Sequence, residues 1–403
     1  MGLIYCGIDE AGYGPMLGPL CVGFSAFRVE GWDSSAGAPD LWQALLPAVS
    51  RTKPRTGSCI AVADSKRLKL SNQSKTRHPL TFLERGVLAF GSLISTHPHQ
   101  PGAEPQADAR GAGGAKIDSQ SQERGATHQH TPRQTGPMDT DLALFSALGT
   151  HLEDHPWYGG DSIGLPLGTG VAQLAISRNR LAIACQAAGV EPIALACIAV
   201  GEHEFNEAIR LGRSKAHLTS RCFAKYLRRA VERWGGGPDE IRLVCDRHGG
   251  RTNYRPMIES ALRGLNCAVQ TLEESSRCSR YAVQKRVSDT HAQLDGHTSA
   301  DEQAQTDMTV PSYAHEALAW GSSASMHIQF RPEAEDAHFP VALASMTAKF
   351  VRELAMARFN RYWCSRIAQL KPTAGYVQDA RRWLEDAGEA ISAEECQAMV
   401  RRA

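Results

Sequence analysis

An apolar run near the start of the chain ends in two adjacent acids and continues into a glycine-rich turn. Residues 7–20 read GIDEAGYGPMLGPL, which places Asp9 and Glu10 before Gly12, Gly14 and Gly18. Neighbouring side chains on a strand point to opposite faces, and two carboxylates can therefore serve one site only where the strand is ending. Glycines provide such an end and let the backbone approach a ligand closely. The sequence predicts a functional site at this strand end.

The pair formed by Asp9 and Glu10 indicates the chemistry of that site. Carboxylates are hard oxygen donors that suit Mg2+ or Mn2+, and two such ions can hold the attacking and leaving oxygens of a phosphodiester during in-line hydrolysis. The first hypothesis is therefore a divalent-metal phosphodiesterase. The alternative is an acidic doublet on a solvated surface, which is where most charged residues lie.

The size and composition of the chain limit the class of protein. With 403 residues, 42% of them apolar, the chain can bury a large core and has room for more than one domain. No apolar stretch approaches the length of a bilayer-spanning helix, and the first residues lack the features of an export leader. The 11 cysteines are spread along the chain without a CxxC pair, which is typical of buried thiols in a reducing compartment. We expect a cytoplasmic protein without a membrane partner.

The charge of the whole chain is nearly balanced, but one segment is strongly basic. The net charge of +1 neither demands nor excludes a polyanionic partner. Between residues 206 and 229 basic side chains dominate, and helical spacing places Arg221, Lys225 and Arg228 away from the apolar positions. This segment predicts a helix that either faces phosphates or presents an ordinary solvated face, and both alternatives stay open.

Two polar stretches interrupt the globular composition. Residues 96–139 are crowded with Gly, Gln, Pro, Ala and His, and residues 287–309 are rich in Ser, Thr, Gln, Asp and His. Neither can bury enough apolar surface to offset the loss of chain entropy, so we interpret both as disordered insertions in loops. The prediction is a single catalytic domain built from residues 1–95, 140–286 and 310–403, the last of which includes a C-terminal helical region.

Short apolar runs alternate with helical patterns in the rest of the chain. A capping-box signature formed by Thr81 and Glu84 predicts the start of a helix. Alternating or buried apolar runs predict the strands Leu3–Ile8, Leu20–Val29, Pro192–Val200, Ile241–Cys245 and Met326–Phe330, and helical periodicity predicts a long helix over residues 341–370. The first two strands are expected to form a hairpin. The mixture predicts an α/β fold with a central mixed sheet.

Four separated segments resemble, in order, the motifs of the type 2 ribonuclease H family, ribonuclease HII. The first is residues 7–19, which are similar to the family opening Gly-Ile-Asp-Glu-Ala-Gly-Arg-Gly-Pro, with Tyr13 in place of the arginine. Residues 63–68 look like the family segment Asp-Ser-Lys-Lys-Leu, and the strand that ends in Asp246 looks like the one that carries the third catalytic acid. Residues 335–353 are similar to the run that follows the fourth acid.

The identity of the fourth acid depends on how that last segment is aligned. Counting back from Ser345 without gaps favours Glu335, whereas anchoring on Pro340 favours Asp336. We select Glu335 and keep Asp336 as the second candidate. A solvated acidic helix start is the alternative interpretation of both residues.

The resemblance implies a ribonuclease H-like fold and hydrolysis of RNA in RNA/DNA hybrids or at ribonucleotides embedded in DNA. It implies that Mg2+ or Mn2+ is held by Asp9, Glu10, Asp246 and Glu335, and that Asp336 is the alternative catalytic acid. It further implies substrate contacts from Gly12, Tyr13, Gly14, Ser65, Lys66 and Tyr376, with the tyrosine packing against a sugar. We expect a monomer. A buried structural role for Tyr376 is the competing interpretation.

Several departures from the family pattern leave other functions open. Besides Tyr13, the glycine that usually follows the third acid is Arg247, and Glu353 stands where aspartate is usual. A hybrid-binding protein without catalysis, or a related nuclease with another nucleic-acid substrate, is therefore an alternative. A phosphate-loop enzyme is a weaker one, because neither GxxxxGK[ST] nor GxGxxG follows the first strand. Residues 142–199 have no counterpart in the resemblance.

Overall fold

The computed structural model of the protein describes residues 2–33, 37–54, 57, 59–94, 138–247, 249–285 and 325–402. The strands within these ranges are β1 (Leu3–Ala11), β2 (Leu20–Val29), β3 (Val49–Ser50), β4 (Ile60–Ala61), β5 (Val190–Val200), β6 (Glu240–Asp246), β7 (Cys267–Glu274), β8 (Ser279–Lys285) and β9 (Ser325–Arg331). The α-helices are α1 (Leu41–Ala44), α2 (Ser65–Leu68), α3 (Thr81–Gly91), α4 (Asp141–Leu148), α5 (Val171–Ala188), α6 (Glu202–Arg210), α7 (Lys215–Trp234), α8 (Arg255–Ala261), α9 (Ala334–Ala337), α10 (Phe339–Arg366), α11 (Val377–Ala387) and α12 (Ala393–Met399).

A mixed sheet of seven strands, in the order β5-β2-β1-β6-β9-β8-β7, lies at the centre of the molecule. Strand β1 pairs antiparallel with β2 and parallel with β6, which in turn pairs parallel with β9. The three parallel strands therefore bring their carboxyl ends to one edge of the sheet. The predicted α/β architecture is confirmed: helices flank a central mixed sheet, and the chain has a C-terminal helical part.

The two faces of the sheet are covered by different helices because side chains alternate along β1. Leu3 and Tyr5 belong to the core that includes the start of α10, whereas Ile4, Cys6 and Ile8 belong to the core that includes α7. A third, smaller core lies between α10 and the C-terminal helices and contains buried tryptophans from both. Helix α10 is thus buried on nearly every side, and it packs against the sheet near the carboxyl end of β1.

Helix α10 lies so close to the sheet that two strand positions have no room for a side chain. A Cβ atom at Gly7 would come within 2.2 Å of the Pro340 carbonyl carbon, and one at Gly23 within 2.1 Å of the Ala344 carbonyl oxygen. Both clashes are with backbone atoms, which cannot rotate away. The glycines therefore set the distance between the sheet and the helix.

Gly23→Ala is expected to lower the free energy of unfolding by about 1–3 kcal/mol, the usual cost of overpacking a core. Gly236→Ala is the control, because no atom lies within 4 Å of that Cβ position; it should leave stability unchanged within about 0.5 kcal/mol. Urea unfolding of the three proteins compares them. Equal stability of the Gly23 variant and the wild type would show that the contact with α10 is not tight.

Most of the predicted elements lie where the sequence places them. The five strand predictions correspond to β1, β2, β5, β6 and β9, and the first two form the expected antiparallel hairpin. The long helix begins at Phe339 and ends at Arg366. The segment without a family counterpart contributes β5, an edge strand of the sheet.

The capping box predicted at the start of α3 is wrong, although the helix itself is present. The helix has no side-chain cap, and the Thr81 hydroxyl donates to the His78 carbonyl oxygen at 2.8 Å. Glu84 is fully buried and accepts hydrogen bonds from the backbone amides of residues 167–169. A loop remote in sequence therefore uses the carboxylate that a local rule assigns to the helix terminus.

Some sequence predictions concern residues that the structure does not describe. The polar stretch 287–309 lies outside the described residues, as does 96–139 apart from its last two positions. The division into domains, the cytoplasmic location and the monomeric state stay predictions. All 11 cysteines are free thiols. Within the described ranges, no helix is both long and apolar enough to cross a membrane.

Most of the basic segment lies in α7, and two of its arginines there are paired with acids. Arg221 forms an ion pair with Glu204, and the Arg228 Nε atom lies 2.9 Å from a carboxylate oxygen of Glu232. These contacts are typical of a solvated helix face. They favour that alternative over a phosphate-binding surface for these two arginines.

Candidate active site

Acids from three separate segments meet at the carboxyl edge of β1 and β6. The parallel register ends at the pair Ile8 and Cys245, so Asp9 and Asp246 follow as the next neighbours across the two strands. Glu335 lies in α9, whose first amide, that of Ala334, donates to the Asp246 carboxylate at 3.3 Å. Asp9 and Glu10 lie inside β1, which extends to Ala11 instead of ending at Ile8 as predicted, but they lie beyond its last pair with β6. The charges of Glu10, Glu335 and Asp246 act on Asp9, so the four carboxyl groups lie near one another.

The pKa values of the four acids show that they occupy one electrostatic environment. Burial raises the pKa of Asp9 well above its usual range, and the charges of Glu10, Glu335 and Asp246 raise it further. Burial, with a contribution from Asp246, raises the pKa of Glu10 to about 7. Burial also raises the pKa of Asp246 and of Glu335. A group of buried carboxylates that repel one another favours binding of protons or of a cation.

The side chain of Lys66 is the cation that faces this group. Its charge lowers the pKa of Glu10, Asp246 and Glu335, in opposition to the effect of burial. The lysine is placed by α2, a single helical turn that the Asp64 carboxylate caps by accepting from the Lys66 amide at 3.0 Å. The neighbouring Ser65 is buried and receives a hydrogen bond from the Ser345 hydroxyl at 3.0 Å. Lys66 therefore points at the acids, while Ser65 anchors the turn to α10.

Glu335 and Asp336 differ clearly in their surroundings. The Asp336 carboxylate forms an ion pair with Arg67 at 2.8 Å, on a partly exposed surface. Glu335 instead interacts electrostatically with Asp246 and Lys66, and its Oε2 atom is buried with no hydrogen-bond partner among the described residues. This arrangement places Glu335 with the other three acids and Asp336 outside the group.

The turn after β1 is held by contacts from the C-terminal part of the chain. Gly12 has φ +88°, and a Cβ atom there would come within 2.6 Å of the Arg352 side chain. The Arg401 guanidinium donates to the carbonyl oxygens of Gly12 and Pro15. By contrast, no atom lies within 4 Å of the Cβ position of Gly14. The turn is therefore held by Arg352 and Arg401 on one side and is open beside Gly14.

Two exposed tyrosines flank the same turn. The Tyr13 side chain is 41% exposed. Partial burial is the main cause of its raised pKa, and the charge of the nearby Glu10 carboxylate raises it further. Tyr376 is 47% exposed, which excludes the buried structural role. Its ring is approached by Lys349 and by Arg352, both within 5.6 Å of the ring centre. The preceding Gly375 carbonyl oxygen accepts from the amides of residues 16 and 17, which joins this tyrosine to the turn.

The donor atoms of these residues suit a divalent cation. Four carboxylates form a donor set of hard oxygens, which suits Mg2+ or Mn2+. The unpartnered Oε2 atom of Glu335 is an acceptor that a cation would satisfy. Among the described residues, however, no three of these acids bring ligand atoms within 4.8 Å of one another. The four acids are therefore less tightly grouped than a compact site with three protein ligands.

A more compact group of possible metal ligands lies elsewhere, and no sequence pattern predicted it. Glu153, His155 and Glu202 each offer one ligand atom, and these atoms all lie within 4.8 Å of one another. The only local signal is the Glu-x-His spacing at residues 153–155, because the third ligand comes from the start of α6. Nothing in the family resemblance points to these residues.

No protein-family model matches the chain, and no curated protein matches it. Among similar solved structures is a chain of the complex of PCNA and RNase HII from Archaeoglobus fulgidus, with 10% identity, a TM-score of 0.36 and coverage of 99% of this chain and 93% of that chain. Another is the ribonuclease H2 of Pyrococcus horikoshii OT3, with 11% identity, a TM-score of 0.31 and coverage of 95% and 86%. Likenesses of this size carry no conclusion about the family or the activity of this chain.

Proposed function

We propose that this protein is a metal-dependent endonuclease that hydrolyses RNA in RNA/DNA hybrids or DNA strands at embedded ribonucleotides. The observation that carries the proposal is the meeting of Asp9, Glu10, Asp246 and Glu335, from three separate segments, at one edge of the sheet with a lysine beside them. Acids that are solvated surface residues have no reason to gather at the end of buried strands. A site for cations and phosphates gives such a reason.

The four carboxylates would hold one or two Mg2+ or Mn2+ ions. Bound there, such ions would supply a water-derived nucleophile at neutral pH and stabilise the charge on the leaving oxygen. The acids themselves position the cations, and their mutual repulsion makes the site bind metal more favourably. Lys66 offsets part of the negative charge and lies where it can approach a phosphate oxygen of the substrate.

The open side of the turn supports recognition of a ribose. Because Gly14 has no side chain and no atom of the described residues fills that space, a sugar can come close to the backbone there. Backbone donors and acceptors can then contact the 2′-hydroxyl, the group that distinguishes RNA from DNA. The exposed ring of Tyr376, with Lys349 and Arg352 beside it, suits stacking on a neighbouring nucleotide.

Glu335→Gln is expected to reduce metal-dependent cleavage by more than about 100-fold, since loss of a metal ligand should exceed the 10–100-fold cost of losing an outer-shell partner. Asp336→Asn, one residue away, should retain activity within a few-fold, because it removes only an exposed ion pair with Arg67. Initial rates with Mn2+ compare the two. Equal losses in both variants, or a larger loss for Asp336→Asn, would reverse the assignment.

Three substrates separate the proposed activity from its alternatives. An RNA/DNA hybrid, a DNA duplex with one ribonucleotide and an all-DNA duplex are incubated with the protein and Mg2+ or Mn2+. We expect cleavage of at least one of the first two and none of the third. Equal cleavage of the all-DNA duplex would indicate a nuclease with another substrate. Binding without cleavage of any duplex would indicate a hybrid-binding protein.

A further inference from the structure

A compact group of three metal-ligating side chains lies apart from the four acids. Glu153 and His155 belong to the loop after α4, and Glu202 is the first residue of α6. One ligand atom from each lies within 4.8 Å of the others. None of these residues belongs to the proposed nuclease site.

The surroundings of this group hold each side chain in place. The two carboxylate oxygens of Glu153 accept from the amides of His203 and Glu204, both at 2.9 Å. A Cβ atom at Gly201 would come within 2.1 Å of the Glu153 carboxylate carbon, so this glycine is what admits the carboxylate to the start of α6. The His155 ring stacks on the ring of Trp157 with centroids 4.3 Å apart. The positions are therefore fixed before any ligand arrives.

An unpartnered acceptor points to a missing ligand. Glu202 is fully buried, and its Oε1 atom accepts from the Tyr158 hydroxyl at 2.5 Å. Its Oε2 atom is buried and has no hydrogen-bond partner among the described residues. A buried carboxylate oxygen without a donor is costly, and a cation bound between the three side chains would satisfy it.

We propose that Glu153, His155 and Glu202 form a second cation site that takes a divalent transition metal, with Zn2+ as the best match. One imidazole nitrogen and two carboxylate oxygens are donors that zinc accepts, whereas Mg2+ prefers oxygen ligands alone. Three protein ligands leave one position for water. A metal ion bound there would link the loop after α4 to the start of α6.

Metal binding at this site exchanges a proton for the cation. The Nε2 atom of His155 lies 3.0 Å from the Glu153 Oε2 atom. Any proton held between these two atoms must leave to solvent when the nitrogen coordinates zinc, because only the neutral ring with a free lone pair is a ligand. Arg401 is the cation whose charge acts on Glu202 and offsets part of the negative charge of the group.

Zinc titration calorimetry in the presence of excess Mg2+ and a reducing agent tests the proposal. Excess Mg2+ competes with zinc for the proposed all-carboxylate site, and we expect one zinc ion to bind to the Glu153, His155 and Glu202 group. His155→Asn and Glu202→Gln should each weaken that binding by about 100-fold or more, above the cost of losing an outer-shell partner. His203→Asn is the matched control, because this neighbouring histidine has an exposed side chain; it should bind zinc like the wild type. Asp9→Asn should also bind zinc normally.

The readout is independent of nuclease activity, so the zinc site and the proposed function can fail separately. Zinc should also raise the thermal unfolding temperature of the wild type and of His203→Asn. It should not raise that of His155→Asn or Glu202→Gln. Zinc binding that survives both His155→Asn and Glu202→Gln would place the metal elsewhere, for example on the free cysteines. That result, or the absence of zinc binding in the wild type, would overturn the proposal.

Discussion

Asp9→Asn is expected to reduce metal-dependent cleavage of a ribonucleotide-containing duplex by more than about 100-fold, since loss of a metal ligand should exceed the 10–100-fold cost of losing an outer-shell partner. The charges of Glu10, Glu335 and Asp246 all act on this aspartate, so it lies among the other three acids. An amide of the same shape provides a weaker ligand and removes one negative charge. Rates at saturating Mn2+ measure the effect, because a merely lowered metal affinity would be restored there.

The same substitution should not damage the fold. Burial and neighbouring acids raise the pKa of Asp9 in the folded protein, so its ionised form is disfavoured by folding and costs stability at neutral pH. A neutral asparagine removes that cost. Thermal unfolding without metal should therefore show the variant as stable as the wild type, or more stable. An active variant, or an inactive one that is also unfolded, would contradict the assigned role.

Arg358→Met is expected to lower the free energy of unfolding by about 3–5 kcal/mol, which is the cost of leaving a buried charge without its partner. Arg358 and Asp141 are almost completely buried and form a two-pronged ion pair with N–O distances of 2.5 and 3.0 Å. The same guanidinium donates to the carbonyl oxygens of residues 158 and 159. The substitution therefore removes the polar contacts that join α10 to α4 and to the loop that follows α4.

A surface arginine provides the matched comparison. Arg255 pairs with Glu259 one helical turn away at 2.7 Å, and both side chains are about half exposed. Arg255→Met should cost only about 0.3–0.5 kcal/mol. Urea unfolding of both variants under the same conditions gives the two values. Similar small losses would mean that the buried pair contributes little and that other contacts hold α10.

The parts of the fold that sequence patterns predict are those with strong local signals. Strands β1, β2 and β6 are largely apolar, and α10 has helical periodicity over many turns. Helix α5 was not predicted, because its apolar residues do not lie on one face. Val171, Ile176 and Ile183 are exposed in it, so no clear amphipathic pattern exists.

The site shows the same division between local and long-range information. The acids of β1 and β6 could be found because each follows an apolar run in the sequence. The choice between Glu335 and Asp336 could not be made there, because it depends on which side chain meets Arg67 and which meets Asp246. Glu84 and Glu202 were also beyond sequence reasoning, since their partners lie far along the chain.

Anomalous diffraction from crystals grown with Mn2+ tests the central claim most directly. A manganese peak, or a pair of peaks, should lie between the carboxylates of Asp9, Glu10, Asp246 and Glu335, with Asp336 still turned toward Arg67. Manganese bound only at Glu153, His155 and Glu202, with the four acids left without a cation at saturating Mn2+, would contradict the proposal that these acids form a nuclease centre.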